Sequence, residues 1–136
     1  MKSYVLDANA LVRYYRRTPG YATVRELVER GKSRQVSLAV SVVNLAEVLY
    51  VLAKYFRQDK ALQMIQIACA VVEPMPVDDQ VALDTAAIRI RYKLGLADCF
   101  AAELAMRLGA TLVTADLEFD KLGKSLKVLA LPRHVR

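Results

Sequence analysis

The fold is first indicated by the stretch Ser3-Tyr4-Val5-Leu6-Asp7-Ala8-Asn9-Ala10-Leu11, in which a short β-prone run ends at an acid and a helical pattern follows. A similar change of pattern occurs after Gln35 to Val40, where Ser41 can cap the helix that follows. Strands separated by helices run parallel, because parallel neighbours need crossover connections. The chain is therefore predicted to be an α/β protein.

The rest of the pattern places helices on both sides of that sheet. Further helices are predicted over residues 21–31, 42–56, 60–72, 79–93 and 97–108, and further strands over residues 111–114 and 126–131. Only a brief extended piece is expected around Met75 to Val77, because Pro74 and Pro76 interrupt the helices. We predict a three-layer α/β/α fold with a central, mostly parallel sheet of four to five strands, in a single domain covering residues 1–136.

The composition limits the class of protein. The 136 residues include 20 Lys and Arg against 14 Asp and Glu, a net charge of +6, and 55% are hydrophobic. This apolar content excludes a disordered chain, and it is high enough to favour an oligomer or partner interface. The longest uncharged run, Ala61 to Val72, is shorter than the roughly 20 residues of a membrane-spanning helix, and no signal-peptide core is visible. We expect no membrane association and a cytoplasmic location.

Histidine and cysteine chemistry is not favoured. His134 is the only histidine and lies near the C-terminus, so a Ser or Cys nucleophile would need the terminal segment to supply its base. Cys69 and Cys99 lie in apolar, helix-like stretches and are expected to be reduced thiols that pack as small hydrophobic residues. These three residues are too few and too distant for a structural zinc site. The candidate chemistry therefore depends on carboxylates.

Four acidic residues stand out from their surroundings: Asp7, Glu47, Asp98 and Asp116. Asp7 and Asp116 follow strands, at the sheet edge where α/β proteins form their sites. Each acid also has a plainer interpretation. Asp7 can end a strand in a turn or cap a helix, and Asp98 and Asp116 can cap helices. Glu47 can belong with Asn44 and Lys54 to a thin solvent-exposed stripe. Taken singly, none of the four indicates an enzyme.

Four short blocks contain these acids. They are Tyr4-Val5-Leu6-Asp7-Ala8-Asn9-Ala10-Leu11, Asn44-Leu45-Ala46-Glu47-Val48, Leu96-Ala97-Asp98-Cys99-Phe100-Ala101-Ala102 and Leu112-Val113-Thr114-Ala115-Asp116-Leu117-Glu118-Phe119. In this order they resemble the motifs of the PIN-domain ribonucleases, and they are most similar to the VapC-like toxin branch of toxin–antitoxin pairs. The resemblance runs from residue 3 to about residue 131. It implies a PIN-like fold and a metal-dependent endoribonuclease that acts as such a toxin.

The resemblance implies an acidic pocket for one or two Mg²⁺ or Mn²⁺ ions, formed by the catalytic acids Asp7, Glu47, Asp98 and Asp116. Asn9 and Thr114 match polar positions that support these ligands. Glu118 stands where many relatives have Asp, so its part in metal binding is left open, and Asp120 is expected to be a surface residue. Two carboxylates ~4 Å apart repel by about 4 kcal/mol at an effective dielectric constant of 20, so a cation must offset their charge. The expected reaction is hydrolysis of an RNA phosphodiester by metal-activated water, leaving a 5′-phosphate and a 3′-hydroxyl.

Positive charge is concentrated in the first third of the chain. Residues 1–45 hold eight Lys and Arg against three Asp and Glu. Because an acidic pocket repels a polyanion, RNA must be held by positive charge outside it. Arg13, Arg16 and Arg17 are the candidate substrate-binding residues, and Tyr14 and Tyr15 beside them are candidates for stacking on unpaired bases. The plainer interpretation of these arginines is a solvated helix face.

Other functions and partners remain open at this point. A catalytically silent PIN-like module would bind RNA or a protein without cutting, and an RNA-processing PIN nuclease would act outside toxin–antitoxin systems. A phosphatase of the haloacid-dehalogenase type would use Asp7 as its nucleophile, but Asn9 stands where that chemistry usually has a second Asp. The resemblance further implies a small antitoxin protein as partner, and the apolar excess favours a homodimer.

Overall fold

A computed structural model describes residues 1–132, which are built around a five-stranded parallel sheet. The strands are β1 (Lys2–Leu6), β2 (Val36–Ser41), β3 (Val72–Met75), β4 (Thr111–Thr114) and β5 (Lys127–Ala130). Their order across the sheet is β3-β2-β1-β4-β5, and each neighbouring pair is parallel. The helices are α1 (Ala8–Arg16), α2 (Tyr21–Lys32), α3 (Val42–Leu52), α4 (Gln58–Ala68), α5 (Asp79–Tyr92) and α6 (Leu96–Leu108). A 3₁₀ helix (Leu117–Ser125) joins β4 to β5. His134 lies outside the described residues.

Two hydrophobic cores cover the two faces of the sheet, so the predicted three-layer α/β/α fold is confirmed. Side chains alternate between the faces along a strand. Leu6 of β1 packs in one core with residues of α1 to α4, and Val5 packs in the other with residues of α6 and with Phe119. Cys99 is buried in the second core and Cys69 is half-buried beside the first, both as free thiols.

The order of the strands positions the site. The chain runs outward from β1 through β2 to β3 and then returns to place β4 on the other side of β1. In parallel sheets the crevice at such a reversal, outside the carboxyl ends of the strands, is where ligands bind. Leu6 pairs with Val113 in register, and the backbone N–H of Asp7 donates to the Val113 carbonyl at 3.3 Å. The residues that follow β1 and β4 therefore lie side by side.

Three predicted elements have different bounds in the structure. The helix predicted over residues 42–56 ends at Leu52, because i→i−3 hydrogen bonds replace the α-helical pattern in the turn that follows. The helix predicted over residues 60–72 begins at Gln58 and ends at Ala68, where another tight turn directs the chain into the sheet. The extended piece expected around Met75 to Val77 is instead β3, which includes Pro74. Proline is tolerated there because β3 is an edge strand that pairs only with β2.

The helices of residues 1–132 are all too short or too polar to span a lipid bilayer.

Candidate active site

An open pocket of about 470 Å³ lies at the carboxyl edge of the sheet, where β1 and β4 end. Its wall includes all four predicted acids, together with Asn9, Arg13 and several small apolar residues. The acids arrive from four separate elements: Asp7 follows β1, Glu47 is in α3, Asp98 is in α6 and Asp116 precedes the 3₁₀ helix. Folding therefore brings together four acidic residues that are far apart in the sequence.

Asp7 is the most deeply placed of the four acids. Its side chain is only 3% exposed and caps α1, since Oδ1 accepts a hydrogen bond from the Ala10 backbone N–H at 2.8 Å. The helix-cap interpretation of Asp7 is thus correct, and the same carboxylate also faces the pocket. Burial raises the pKa of Asp7 to about 7, and the nearby charges of Asp98 and Asp116 act in the same direction. A hydrogen bond with Thr114 and the cap at Ala10 oppose the rise. Ionised Asp7 is poorly stabilised without a cation.

Thr114, at the end of β4, joins two of the acids. It is 1% exposed, and its Oγ1 accepts the backbone N–H of Asp116 at 3.0 Å. Its hydroxyl also acts to lower the pKa of Asp7, so Thr114 lies beside both the acid after β1 and the acid after β4. Asn9 is exposed on the pocket wall, one residue into α1 from Ala8.

Asp98 and Asp116 form the electrostatic centre of the pocket. The pKa of Asp98 is raised to about 6, mainly by partial burial. The negative charges of Asp116, Glu47 and Glu118 raise it further, as does a hydrogen bond with Asp116 that favours the protonated form. Gly95 is the N-cap of α6, so the interpretation of Asp98 as a plain helix cap is wrong. Asp116 does cap the 3₁₀ helix, since its Oδ1 accepts from the Glu118 N–H at 2.9 Å.

Glu47 is exposed at the pocket, whereas the residue three positions before it is not. Asn44 is 1% exposed, so the predicted solvent stripe of Asn44, Glu47 and Lys54 is wrong. The residues have the predicted α-helical spacing, but the first turn of α6 contacts Asn44 through the Ala97 carbonyl and covers it. Glu118 is exposed and pairs with Lys121 at 2.6 Å, and Asp120 is exposed nearby.

The three candidate arginines have different surroundings. The Arg13 Nη1 donates to the Pro19 carbonyl at 2.7 Å and to the Pro132 carbonyl, so this arginine ties α1 to two other segments at the pocket wall. Arg16 is exposed and its guanidinium lies 3.6 Å from the centre of the Tyr55 ring. Arg17 is exposed at the end of α1, with its guanidinium 5.7 Å from the Tyr21 ring.

Tyr14 and Tyr15 are not placed to stack on bases. Both are packed against the first core, and the Tyr15 hydroxyl donates to the Met64 carbonyl at 2.9 Å. Burial raises the pKa of Tyr15 above its usual range. The exposed aromatic residue beside the arginines is Tyr55, which is 53% exposed. It was missed because it is about 40 residues away in the sequence and only the turn after α3 brings it to Arg16.

The chemistry of the pocket fits a hard divalent cation. Its charged ligand atoms are carboxylate oxygens, and burial together with neighbouring negative charges raises the pKa values of Asp7 and Asp98, a cost that a bound cation would offset. Within residues 1–132, no three His, Cys, Asp or Glu side chains stand in a ligating arrangement.

Comparison with known proteins identifies the family. The PIN domain family model matches residues 4–125. The chain belongs to the PIN-domain family. PIN domains are nucleases and generally use divalent metal ions. No curated protein matches this PIN domain.

Solved structures of the same fold include complexes of toxin–antitoxin proteins. DNA-bound VapBC from Salmonella typhimurium contains a chain with TM-score 0.76 and 24% identity to this PIN domain, covering 96% of it and 98% of that chain. A chain of VapBC2 from Rickettsia felis, bound to a promoter DNA fragment, has a TM-score of 0.75 and 22% identity, and the match covers 96% of this PIN domain and 99% of that chain. FitAcB from Neisseria gonorrhoeae has a TM-score of 0.67 and 23% identity, and the match covers 92% of this PIN domain and 95% of that chain. At these sequence identities, the comparisons show that the fold is shared.

Proposed function

We propose that this PIN domain is a Mg²⁺- or Mn²⁺-dependent endoribonuclease, and that it is the toxin of a toxin–antitoxin pair. The observation that carries the nuclease proposal is the pocket itself, which is lined by four acids from four elements, two of them with raised pKa values. Such a cluster is unfavourable to folding, because charges of the same sign are brought together, and a bound cation would offset this cost.

Asp7, Glu47, Asp98 and Asp116 are the proposed ligands of one or two ions. A divalent ion bound there would supply an activated water and would stabilise the negative charge that develops on the phosphate and on the leaving oxygen. The chain's own contribution is orientation. Asp7 is held by its hydrogen bond from the Ala10 N–H, and the backbone of Asp116 is held by its hydrogen bond to the buried Thr114 hydroxyl. Asn9 lies on the same wall, where it is proposed to support the ligands.

RNA binding is proposed to depend on the basic residues of α1 and its C-terminal end, of which Arg13 lines the pocket. Arg16 and Arg17 are exposed at the C-terminal end of α1, and Tyr55 presents an aromatic face next to Arg16. A guanidinium that is stacked on a tyrosine keeps its outward donors free for phosphate, and the exposed part of the ring can receive an unpaired base. Arg13 is the least available of the three, because its Nη1 already donates to two backbone carbonyls.

The test of the proposed function is metal-dependent cleavage of RNA. The purified protein is incubated with a mixed single-stranded RNA pool in EDTA, and then with excess Mg²⁺ or Mn²⁺. We expect internal cuts only when the metal is present, with 5′-phosphate ends that a 5′-phosphate-dependent exonuclease degrades. Binding of RNA without cleavage in either ion would instead indicate the silent binding module, and cleavage in EDTA would contradict the metal dependence.

The dependence of RNA binding on salt tests the role of the arginines. Each phosphate contact to a single strand contributes about −0.7 to the slope of log K against log salt. We expect Arg16→Gln and Arg17→Gln each to weaken RNA binding and to make this slope less steep by about that amount. Arg25→Gln, at an exposed position on α2, is the matched control and is expected to change neither quantity. Fluorescence anisotropy over a salt series measures both, and an unchanged slope in Arg16→Gln would contradict the contact.

The toxin role brings partners with it. Solved structures of the same fold are VapBC complexes, which supports a small antitoxin as partner, and we propose that it covers the pocket.

A homodimer is supported by apolar side chains exposed on one face of α5, where Leu83 and Ile90 are 66% and 79% exposed. Both partners, and the target RNA, would be cytoplasmic. Growth arrest on induced expression, relieved by a small protein encoded next to this chain, is the expected result, and its absence in a nuclease that is active in vitro would favour an RNA-processing role.

A further inference from the structure

Asn44 is a buried amide between two helices that carry acids of the pocket. It lies in the first turn of α3 and is 1% exposed. Its Nδ2 donates to the Ala97 carbonyl at 3.1 Å and to Glu47 Oε1 at 3.5 Å. Ala97 immediately precedes Asp98 in the first turn of α6. One side chain therefore connects the carboxylate of one proposed ligand to the backbone beside another.

The two helices have no other polar link of this kind in residues 1–132. α3 packs with the first core and α6 with the second, and the two helices are also in contact with each other. Glu47 is exposed and has a long side chain that otherwise samples several rotamers, at a cost in entropy when it is held in one. A buried amide has few alternative orientations, and a hydrogen bond to a carboxylate is stronger than one between neutral groups. These properties suit Asn44 to hold Glu47 in place.

We propose that Asn44 is a positioning residue, which orients the Glu47 carboxylate toward the pocket and keeps it in register with the turn of α6 that carries Asp98. This inference rests on the proposed function, because it assigns Asn44 a role in assembling the metal-binding acids. Residues that orient ligands without touching the metal typically contribute 10- to 100-fold in metal affinity or activity. Asn44 is expected to act on the same scale.

The test is the variant Asn44→Leu, which has a similar shape but neither of the two hydrogen bonds. We expect Mn²⁺ affinity, measured by titration calorimetry, to fall by about 10-fold or more, and kcat for RNA cleavage to fall by about 10- to 100-fold. KM for RNA is expected to stay within about twofold, because Asn44 is buried and does not reach the substrate. Thr85→Val is the matched control: Thr85 is fully buried in α5, its hydroxyl has no hydrogen-bond partner, and it does not line the pocket. It is expected to leave Mn²⁺ affinity and kcat unchanged.

A double-mutant cycle with Glu47→Gln separates positioning from a general effect on folding. If Asn44 acts through Glu47, then Asn44→Leu has little further effect on Mn²⁺ affinity once Glu47 is neutral. An equal loss in both backgrounds, or Mn²⁺ affinity and kcat like those of the wild type, would overturn the inference. Asn44→Ser, which is smaller and still polar, serves the same cycle if the leucine variant does not fold. A wild type that neither binds Mn²⁺ nor cleaves RNA would be a failure of the proposed function itself.

Discussion

Asp98→Asn is expected to cleave RNA at least about 100-fold more slowly than the wild type, while remaining folded. A residue that only orients a metal ligand contributes up to about 100-fold, so loss of a ligand itself is expected to cost more. Asp98 is also the acid on which the charges of Asp116, Glu47 and Glu118 all act. The amide keeps the size of the side chain but removes the charge that would bind an ion. Initial rates with Mn²⁺ in excess, compared with the wild type, measure the effect.

Asp120→Asn is the matched control for that variant. Asp120 is exposed, belongs to the 3₁₀ helix that Asp116 caps, and does not line the pocket. The same change of charge and chemistry is expected to leave the rate within about twofold. If both variants lost activity equally, the loss would reflect the overall charge of this region. If Asp98→Asn cleaved at the wild-type rate, Asp98 would not be a ligand.

The positions of Asp7 and Asp116 at the carboxyl edge could be predicted from local sequence, whereas the convergence of Glu47 and Asp98 with them came from the resemblance to PIN domains. Asp7 and Asp116 directly follow buried strands, and parallel strands present their carboxyl ends at one edge. The strand and helix patterns that determine this edge are local, so they can be read from the sequence. The pairing order that puts β4 beside β1 is not local, and it entered through the resemblance to PIN domains.

What could not be predicted depends on contacts between distant segments. Periodicity places Asn44 and Glu47 on one side of α3, but it does not reveal that α6 covers the first and leaves the second exposed. For the same reason Tyr14 and Tyr15 were expected at the surface, whereas they pack against the first core. Burial of a polar side chain depends on which neighbour approaches it, and one helix alone does not carry that information.

Asp7→Asn is expected to make the metal-free protein more stable at pH 8. Burial raises the pKa of Asp7 from 3.8 to about 7, so the folded state binds a proton more tightly than the unfolded state. The contribution of Asp7 to stability is then fully present below pH about 4 and is lost as the pH rises to about 7, a loss of about 4 kcal/mol once Asp7 is ionised. The amide carries no charge and can still cap α1. Allowing about 1 kcal/mol for the altered hydrogen bond with Thr114, the expected gain in free energy of unfolding is about 2 to 3 kcal/mol.

Urea unfolding in EDTA at pH 5 and pH 8 measures this gain, which is expected to be larger at pH 8. Asp78→Asn is the control, since Asp78 caps α5 through the Val81 N–H at 2.9 Å but lies outside the pocket, and its change is expected to be small at both pH values. Added Mn²⁺ is expected to shrink or cancel the advantage of the variant: at about 1,000 times its Kd it would stabilise the wild type by about 4.1 kcal/mol, whereas the variant lacks one ligand and gains less. A variant that is less stable than the wild type in EDTA at pH 8 would contradict the electrostatic cost at Asp7. An advantage of the variant without metal that shrinks or disappears with metal would show that the buried charge is offset by the ion, because a carboxylate kept only to cap α1 would leave the same difference in both conditions.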